Sequence, residues 1–88
     1  MNPTLVEDFK EYAIHRNDSM IYQTIYHFPN DYGVSVICGT YSNGLEALRI
    51  WFEDKDTYHL SGTNKNYLTD EQLLAYLKAV KEKGHLSD

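Results

Sequence analysis

Several features that would assign this sequence of 88 residues to a familiar class are scarce in it or missing. Its single cysteine, Cys38, excludes an intramolecular disulfide, which is typical of proteins from a reducing compartment. No apolar run approaches the roughly 20 residues that span a bilayer. The first residues, MNPTLVEDFKEY, are acidic and polar, whereas a signal peptide is basic and then apolar. We therefore expect a cytoplasmic protein with no membrane segment.

Basic residues are also few, with 8 Lys and Arg against 13 Asp and Glu, which gives a formal net charge of −5. Nucleic-acid binding draws most of its affinity from cationic side chains that contact phosphates, so this balance argues against generic nucleic-acid binding. The same charge suits a partner protein with a basic groove.

The motifs of catalysis and metal binding are missing as well. None of the 4 histidines has a second ligand at the short spacing usual for zinc, and no glycine-rich loop is followed by Lys-Ser/Thr on a helix. The segment EDKD at residues 53–56 lacks the glycine and the distant glutamate of a calcium loop. We therefore expect no metal, no cofactor and no enzymatic activity.

What remains predicts one α+β domain over residues 1–88, in the order α-β-β-β-β-α. Apolar residues at helical spacing predict an N-terminal helix that begins at Pro3 and ends near Asn17-Asp18. Four alternating, β-branched or aromatic segments follow, joined by short links that predict an antiparallel four-stranded meander. The predicted strands cover residues 19–28, 33–41, 45–53 and 57–61, and the predicted C-terminal helix begins at Asp70 and is terminated by Gly84.

Two local patterns are especially informative about this fold. Asn43-Gly44 between two alternating segments predicts a hairpin, because both residues tolerate a positive φ. Thr69-Asp70-Glu71-Gln72 matches a capping box, and Gly84 follows the lysine-rich end of the same helix. The predicted core consists of one face of the third predicted strand and the stripe of the C-terminal helix: Leu48, Ile50, Phe52, Leu73, Leu74, Leu77 and Val80.

Tyrosine is abundant, with 8 Tyr beside 1 Trp, and such side chains dominate binding surfaces. Strand alternation places several of them on the face opposite the predicted core, next to the acidic turn after the third predicted strand. The candidate binding surface is Tyr22, Tyr26, Tyr41, Trp51, Glu53, Asp54 and Asp56. One alternative is that the N-terminal helix covers these aromatics. A second alternative is that they stack single-stranded bases.

Two phrases of the sequence resemble small uncharacterised bacteriophage and prophage proteins. They are FPNDYGVSV at residues 28–36 and YLTDEQ at residues 67–72, with Gly39, Tyr41 and Gly44 between them. Such relatives carry a longer glycine-rich insertion near Tyr41, and they offer no counterpart for the N-terminal helix. The resemblance covers roughly residues 28–77 and implies no catalytic residue. It implies a small phage accessory protein, acting in the host cytoplasm, that binds and inhibits a host or defence factor.

We therefore expect a non-enzymatic protein that binds a host protein through an acidic, aromatic surface. A small ligand-binding protein or enzyme is one alternative, with His27, His59 and Asp31 gathered at a sheet edge. A structural, self-assembling component is another. Dimerisation is compatible with each, since a chain of this size gains stability by self-association.

Overall fold

The computed structural model describes residues 2–16 and 20–84, and these residues have an α+β architecture. Five antiparallel strands lie side by side in chain order, and one α-helix packs against their sheet. The predicted meander is confirmed, and its four predicted strands correspond to β2–β5. The elements are a 3-10 helix (Glu7–Tyr12), β1 (Ala13–His15), β2 (Ile21–His27), β3 (Tyr32–Gly39), β4 (Glu46–Phe52), β5 (Tyr58–Leu60) and α1 (Asp70–Lys83).

The predicted N-terminal α-helix is wrong, because the chain forms only the 3-10 helix and then a fifth strand. In β1, Ile14 pairs with Ile25 of β2, so the outer edge of β2 gains hydrogen-bonding partners. This pairing with the next strand of the chain outweighs a helical periodicity that is only a weak local preference. The predicted helix end at Asn17-Asp18 lies outside the described residues.

The segment before the 3-10 helix is held against β2 by polar side chains. The Tyr26 hydroxyl donates to the Thr4 carbonyl oxygen (2.7 Å) and accepts from the Val6 N–H (2.9 Å). The buried hydroxyls of Thr4 and Thr24 lie 2.8 Å apart. We call residues 2–6 the N-terminal strap.

Helix α1 begins and ends where its sequence predicts. Thr69 Oγ1 accepts from the Gln72 N–H (3.1 Å), and Gln72 Oε1 accepts from the Thr69 N–H (2.9 Å), which confirms the capping box. At the other end, Gly84 has φ 64° and donates its N–H to the Val80 carbonyl oxygen (2.7 Å). Glycine adopts this left-handed conformation without a steric cost.

The face of the sheet that α1 covers is the opposite of the predicted one. Leu77 is fully buried in a cluster with Val34, Val36 and Ala47, all from the face that was expected to carry the exposed aromatics. Both faces are apolar, so alternation alone does not decide between them. Because valine and alanine are small, we attribute the choice to the close approach of the helix that they allow. Leu74, predicted in the core, is 38% exposed.

The predicted core set lies on the second face, which we call the open face, where it forms a small cluster of its own. Ile50 and Phe52 are buried there with Ile25, and Tyr58 packs against them. Within residues 2–16 and 20–84, this cluster contains strand residues alone, with none from α1. The Phe52 ring also stacks on the His27 ring at a centroid distance of 3.6 Å.

The β2–β3 turn is bonded to the end of β4 and to the end of α1. The Phe52 N–H at the end of β4 donates to the carbonyl oxygen of Asp31 (2.7 Å), which has φ 66° in the β2–β3 turn. In that turn, Asn30 Nδ2 donates to the Val80 and Lys81 carbonyl oxygens at 2.9 and 3.1 Å. The end of α1, the β2–β3 turn and the end of β4 are therefore fixed relative to one another.

The β3–β4 hairpin is confirmed, with a longer connection than a two-residue turn. β3 ends at Gly39 and β4 begins at Glu46, and Gly44 supplies the positive φ (64°) in the loop between them. The buried Glu46 carboxylate accepts from the Asn43 N–H and from Asn64 Nδ2 (2.6 Å). These two bonds shape the loop and join it to the segment after β5.

We expect Tyr26→Phe to destabilise the fold by about 1–3 kcal/mol, because it leaves a strap N–H and carbonyl oxygen without their partner. Burial raises the pKa of the Tyr26 phenol, and the hydrogen bond from the Val6 N–H partly opposes this. The associated stability is present below the usual phenol pKa near 10 and is lost as the pH rises through the higher folded pKa. Urea unfolding at neutral and alkaline pH measures both effects. A variant as stable as wild type at neutral pH would exclude this role for the hydroxyl.

Candidate functional site

Trp51 is the more exposed of the two aromatic residues of β4, and it lies next to the C-terminal end of the strand. Its Cα pairs with His59 of β5 on one side and Tyr32 of β3 on the other. The Trp51 and His59 rings stack with centroids 4.7 Å apart and an interplanar angle of 28°. The stacking holds the Trp51 ring in one orientation. Because Trp51 is 40% exposed, the ring still presents surface area to a partner.

One carboxylate contacts this aromatic pair, and others lie at the same end of the sheet. Glu53 Oε1 lies 3.4 Å from His59 Nε2, which places the acid beside the stacked rings. Asp54 and Asp56 follow in the exposed β4–β5 turn. Asp31 lies at the same end of the sheet, since its carbonyl oxygen is bonded to the end of β4, but its carboxylate lies beside His27, a residue of the open face. Lys55 is the one lysine or arginine among the residues of the β2–β3 and β4–β5 turns, so acidic side chains predominate. We call Asp31, Trp51, Glu53, Asp54, Asp56 and His59 the acidic hairpin end.

The Asp54 carboxylate forms hydrogen bonds within its own turn. Its Oδ1 accepts from the backbone N–H groups of Asp56 (2.9 Å) and Thr57 (2.8 Å). These bonds, with the one from Asp56 first in importance, lower the pKa of the Asp54 carboxyl. The turn bonds are therefore present at neutral pH and are lost as the pH falls through that lowered pKa. Over the part of the chain that the structure describes, no group of three or more His, Cys, Asp and Glu side chains could hold a metal ion.

Comparison with protein-family models, with curated proteins and with solved structures gives no significant match. No helix in the described ranges is long and apolar enough to cross a membrane.

The predicted binding residues do not form one surface. Trp51, Glu53, Asp54 and Asp56 lie together at the acidic hairpin end. Tyr22 pairs with Cys38 of β3, whereas Trp51 pairs with Tyr32 of the same strand. These two β3 positions are six residues apart, so Tyr22 and Trp51 are separated by roughly 20 Å along the strands. Tyr41 lies 82% exposed in the β3–β4 loop at that far end.

Tyr26 is the one predicted binding residue that cannot meet a partner, because it is fully buried. The alternative that N-terminal residues cover this part of the aromatic face is closer to the structure. The covering residues are the N-terminal strap and Phe9 of the 3-10 helix, in place of an α-helix.

The histidines are not gathered at one sheet edge as the ligand-binding alternative requires. His27 lies in register with Gly33 and Ile50 on the open face, whereas His59 lies in register with Trp51 on the opposite face. His27 Nε2 is 3.4 Å from Asp31 Oδ1. The pair lines a shallow pocket of about 390 Å³ whose other lining residues include Glu11 and Ile14.

The sequence indicated the acidic hairpin end only in part. Trp51, Glu53, Asp54 and Asp56 are close neighbours in the chain, so they were found together. The contributions of Asp31 and His59 depend on the strand register. The order of the meander carries that information in principle, since it brings the β2–β3 and β4–β5 turns to the same end of the sheet.

Proposed function

We propose that this protein is a non-enzymatic binding protein that engages a basic surface of a partner protein through the acidic hairpin end. The observation that carries the proposal is the exposed Trp51 ring, stacked on His59 and flanked by exposed carboxylates. The chain's net charge of −5 adds a long-range attraction to a basic partner.

The chemistry of this end suits lysine and arginine side chains. An indole face attracts a cation placed over it, and the carboxylates accept hydrogen bonds from the same cationic groups. The stacking of Trp51 on His59 fixes the ring before binding, so little side-chain entropy is lost on association. Aromatic anchors of this kind are frequent hot spots of protein interfaces.

The partner we propose is a host protein in the host cytoplasm, bound by a phage or prophage accessory protein. The resemblance of residues 28–77 to small phage proteins supports this part of the proposal. Occupation of a basic groove would exclude the natural ligand of that groove. The binding would therefore inhibit the host or defence factor.

We expect Trp51→Ala to reduce capture of the partner strongly, because loss of a hot-spot aromatic costs about 2 kcal/mol or more, a factor of roughly 30 in affinity. The tagged protein captures its partner from a bacterial lysate at moderate salt, and mass spectrometry identifies and quantifies what co-elutes. Tyr41→Ala is the matched control, because it removes an even more exposed aromatic from the far end of the sheet.

The capture experiment has a clear contrary outcome. If Trp51→Ala folds, as circular dichroism shows, and retains as much partner as Tyr41→Ala, the acidic hairpin end is not the interface. A partner that remains bound at high salt would contradict the electrostatic part of the proposal, since exposed charges are screened there.

A second candidate function is the binding of a small cationic ligand in the pocket that His27 and Asp31 line. The observation that favours it is the His27–Asp31 pair beside the carboxylate of Glu11 in a concave site. An NMR screen with small amines tests it. Amide shifts confined to residues around His27 and Asp31 would support this function, and an unchanged spectrum at millimolar ligand would exclude it.

A further inference from the structure

The outer edge of β5 is a row of backbone groups without a partner strand. β5 is the last strand of the sheet. The Thr57 carbonyl oxygen accepts from the Glu53 N–H, and the Ser61 N–H donates to a carbonyl oxygen of β4, at 2.9 Å in each bond. Because such bonds alternate along an antiparallel pair, the N–H and C=O groups of Tyr58 and Leu60 point away from β4. No backbone group of residues 2–16 and 20–84 is bonded to them.

The side chains on the open face of this edge lack an outer neighbour as well. Leu60 is 69% exposed, whereas Ile50, its partner in register on β4, is fully buried. The two differ in position, since Ile50 has a strand on either side and Leu60 has a strand on its inner side alone. Tyr58 shares this face, two residues away along β5. A further strand beside β5 would therefore bury apolar surface and bond the outward backbone groups.

The opposite face of the same edge belongs to the acidic hairpin end. The His59 ring stacks on Trp51, its partner in register on β4. The exposed carboxylate of Glu53 lies 3.4 Å from His59 Nε2. The surroundings of the edge thus alternate along the strand. They are apolar at Tyr58 and Leu60, and they are aromatic and acidic at the residue between them.

We propose that the partner binds by strand addition, with one extended segment paired to the outer edge of β5 as a sixth, antiparallel strand. This inference rests on the proposed function and specifies the conformation and sequence pattern of the partner. Residues opposite each other in such a pair lie on the same face. The segment therefore has apolar residues opposite Tyr58 and Leu60, and a lysine or arginine opposite His59, where the Glu53 carboxylate accepts from it. Main-chain bonds supply affinity in this mode of binding, and the alternate side chains supply specificity.

Two other assignments fit this edge less well. A second copy of the chain, pairing β5 with β5, would bring two acidic hairpin ends together, and the carboxylates of Glu53 and Asp56 would repel their counterparts. The other edge of the sheet, β1, is followed directly by the exposed Arg16, whose charge would repel a basic segment. Charge complementarity therefore favours a basic partner segment at β5.

The test uses a capped pentapeptide of sequence Thr-Val-Arg-Val-Thr, titrated into the isotope-labelled protein and followed by NMR. We expect the largest amide shifts at Tyr58–Leu60, with a Kd of about 1 mM or tighter. In the antiparallel pair, the N–H groups of both valines bond to β5, and that of the arginine points away. N-methylation of both valines should therefore weaken binding at least about tenfold, and N-methylation of the arginine should leave it within about threefold.

A pair of protein variants tests the same bonds from the other side. Leu60→Pro removes an outward N–H and no bond to β4, which is the edge position where strands accept proline. Leu60→Val keeps the N–H and is the matched control. We expect the proline variant to bind the parent peptide about tenfold more weakly than the valine variant. If the proline variant does not fold, the methylated peptides still decide the question.

Equal binding of the parent and the valine-methylated peptide would overturn strand addition and leave the acidic hairpin end as a site for basic side chains. The absence of shifts at about 2 mM parent peptide would overturn it too. A peptide with glutamate in place of arginine separates this inference from the proposed function. Equal binding of that peptide, with the methylation effect retained, would support strand addition and contradict the recognition of a basic partner.

Discussion

Leu77→Ala should destabilise the protein by about 2–5 kcal/mol, which is a large part of the stability expected of a domain of this size. Leu77 lies in the middle of α1, is fully buried, and packs against the valines of β3 and Ala47 of β4. Truncation removes apolar contacts and leaves a cavity that the sheet is too rigid to fill. Urea unfolding followed by circular dichroism measures the loss.

Leu74→Ala is the matched control for that substitution. It makes the same chemical change on the same helix, but Leu74 is 38% exposed and has no place in either buried cluster. We expect it to cost less than about 1 kcal/mol, since little area is lost from the interior. Equal effects of the two substitutions would contradict the assignment of the covered face.

Gly33→Ala should destabilise the sheet by about 3 kcal/mol or more, at the upper end of the range for overpacked sites. A Cβ at Gly33 would overlap the carbonyl oxygen of Tyr26 in β2 and lie 2.9 Å from the Phe52 ring. Relief requires the backbones of β2 and β3 to separate at the Tyr26 end, where both turns of the acidic hairpin end are anchored. The NMR amide spectrum and the urea midpoint report the change.

Ser35→Ala is the control for Gly33→Ala, because Ser35 is also a residue of β3. It lies two residues further along the same strand, and its main loss is the 3.1 Å hydrogen bond from Gln23 Nε2. We expect a cost of about 0.5–1.5 kcal/mol. If Gly33→Ala is as mild as this control, the close approach of the Phe52 ring and the Tyr26 carbonyl does not constrain the sheet.

The elements that the sequence predicted correctly are those with local signals. The Thr69 capping box, Gly84 and the Asn43-Gly44 loop all act through residues within a few positions of one another. The capping box and Gly84 appear in the structure as expected, and the hairpin forms with a longer connection in which Gly44 has the positive φ. The four predicted strands also agree with β2–β5 to within a few residues. In each case, the physical cause is contained in a short segment of the chain.

The errors arise where contacts between different elements decide the outcome. Residues 3–16 have a helical spacing of apolar positions, but Ala13–His15 pair with the outer edge of β2 and form a strand. The face that α1 covers depends on the volumes of Val34, Val36 and Ala47 taken together, which alternation within one strand does not reveal. Tyr26 is buried because its hydroxyl meets the N-terminal strap, about 20 residues earlier in the chain.

The most direct test of the proposed function is the salt dependence of binding to the purified partner, measured with two matched variants. One variant, Asp31→Asn/Glu53→Gln/Asp56→Asn, neutralises three carboxylates of the acidic hairpin end and leaves the turn-forming Asp54 in place. The other neutralises three exposed carboxylates elsewhere: Glu7→Gln/Glu71→Gln/Glu82→Gln. Each removes three negative charges, so the two variants have the same net charge.

At about 0.15 M salt, we expect the first variant to bind about 30-fold more weakly than wild type and to lose most of its salt dependence, because pairs at an interface are lost. The second variant should remain within about threefold of wild type at that salt concentration, since exposed charges more than about 8 Å from the interface are largely screened there. Equal weakening of both variants would mean that net charge alone attracts the partner. That result would contradict the assignment of the acidic hairpin end as the binding site.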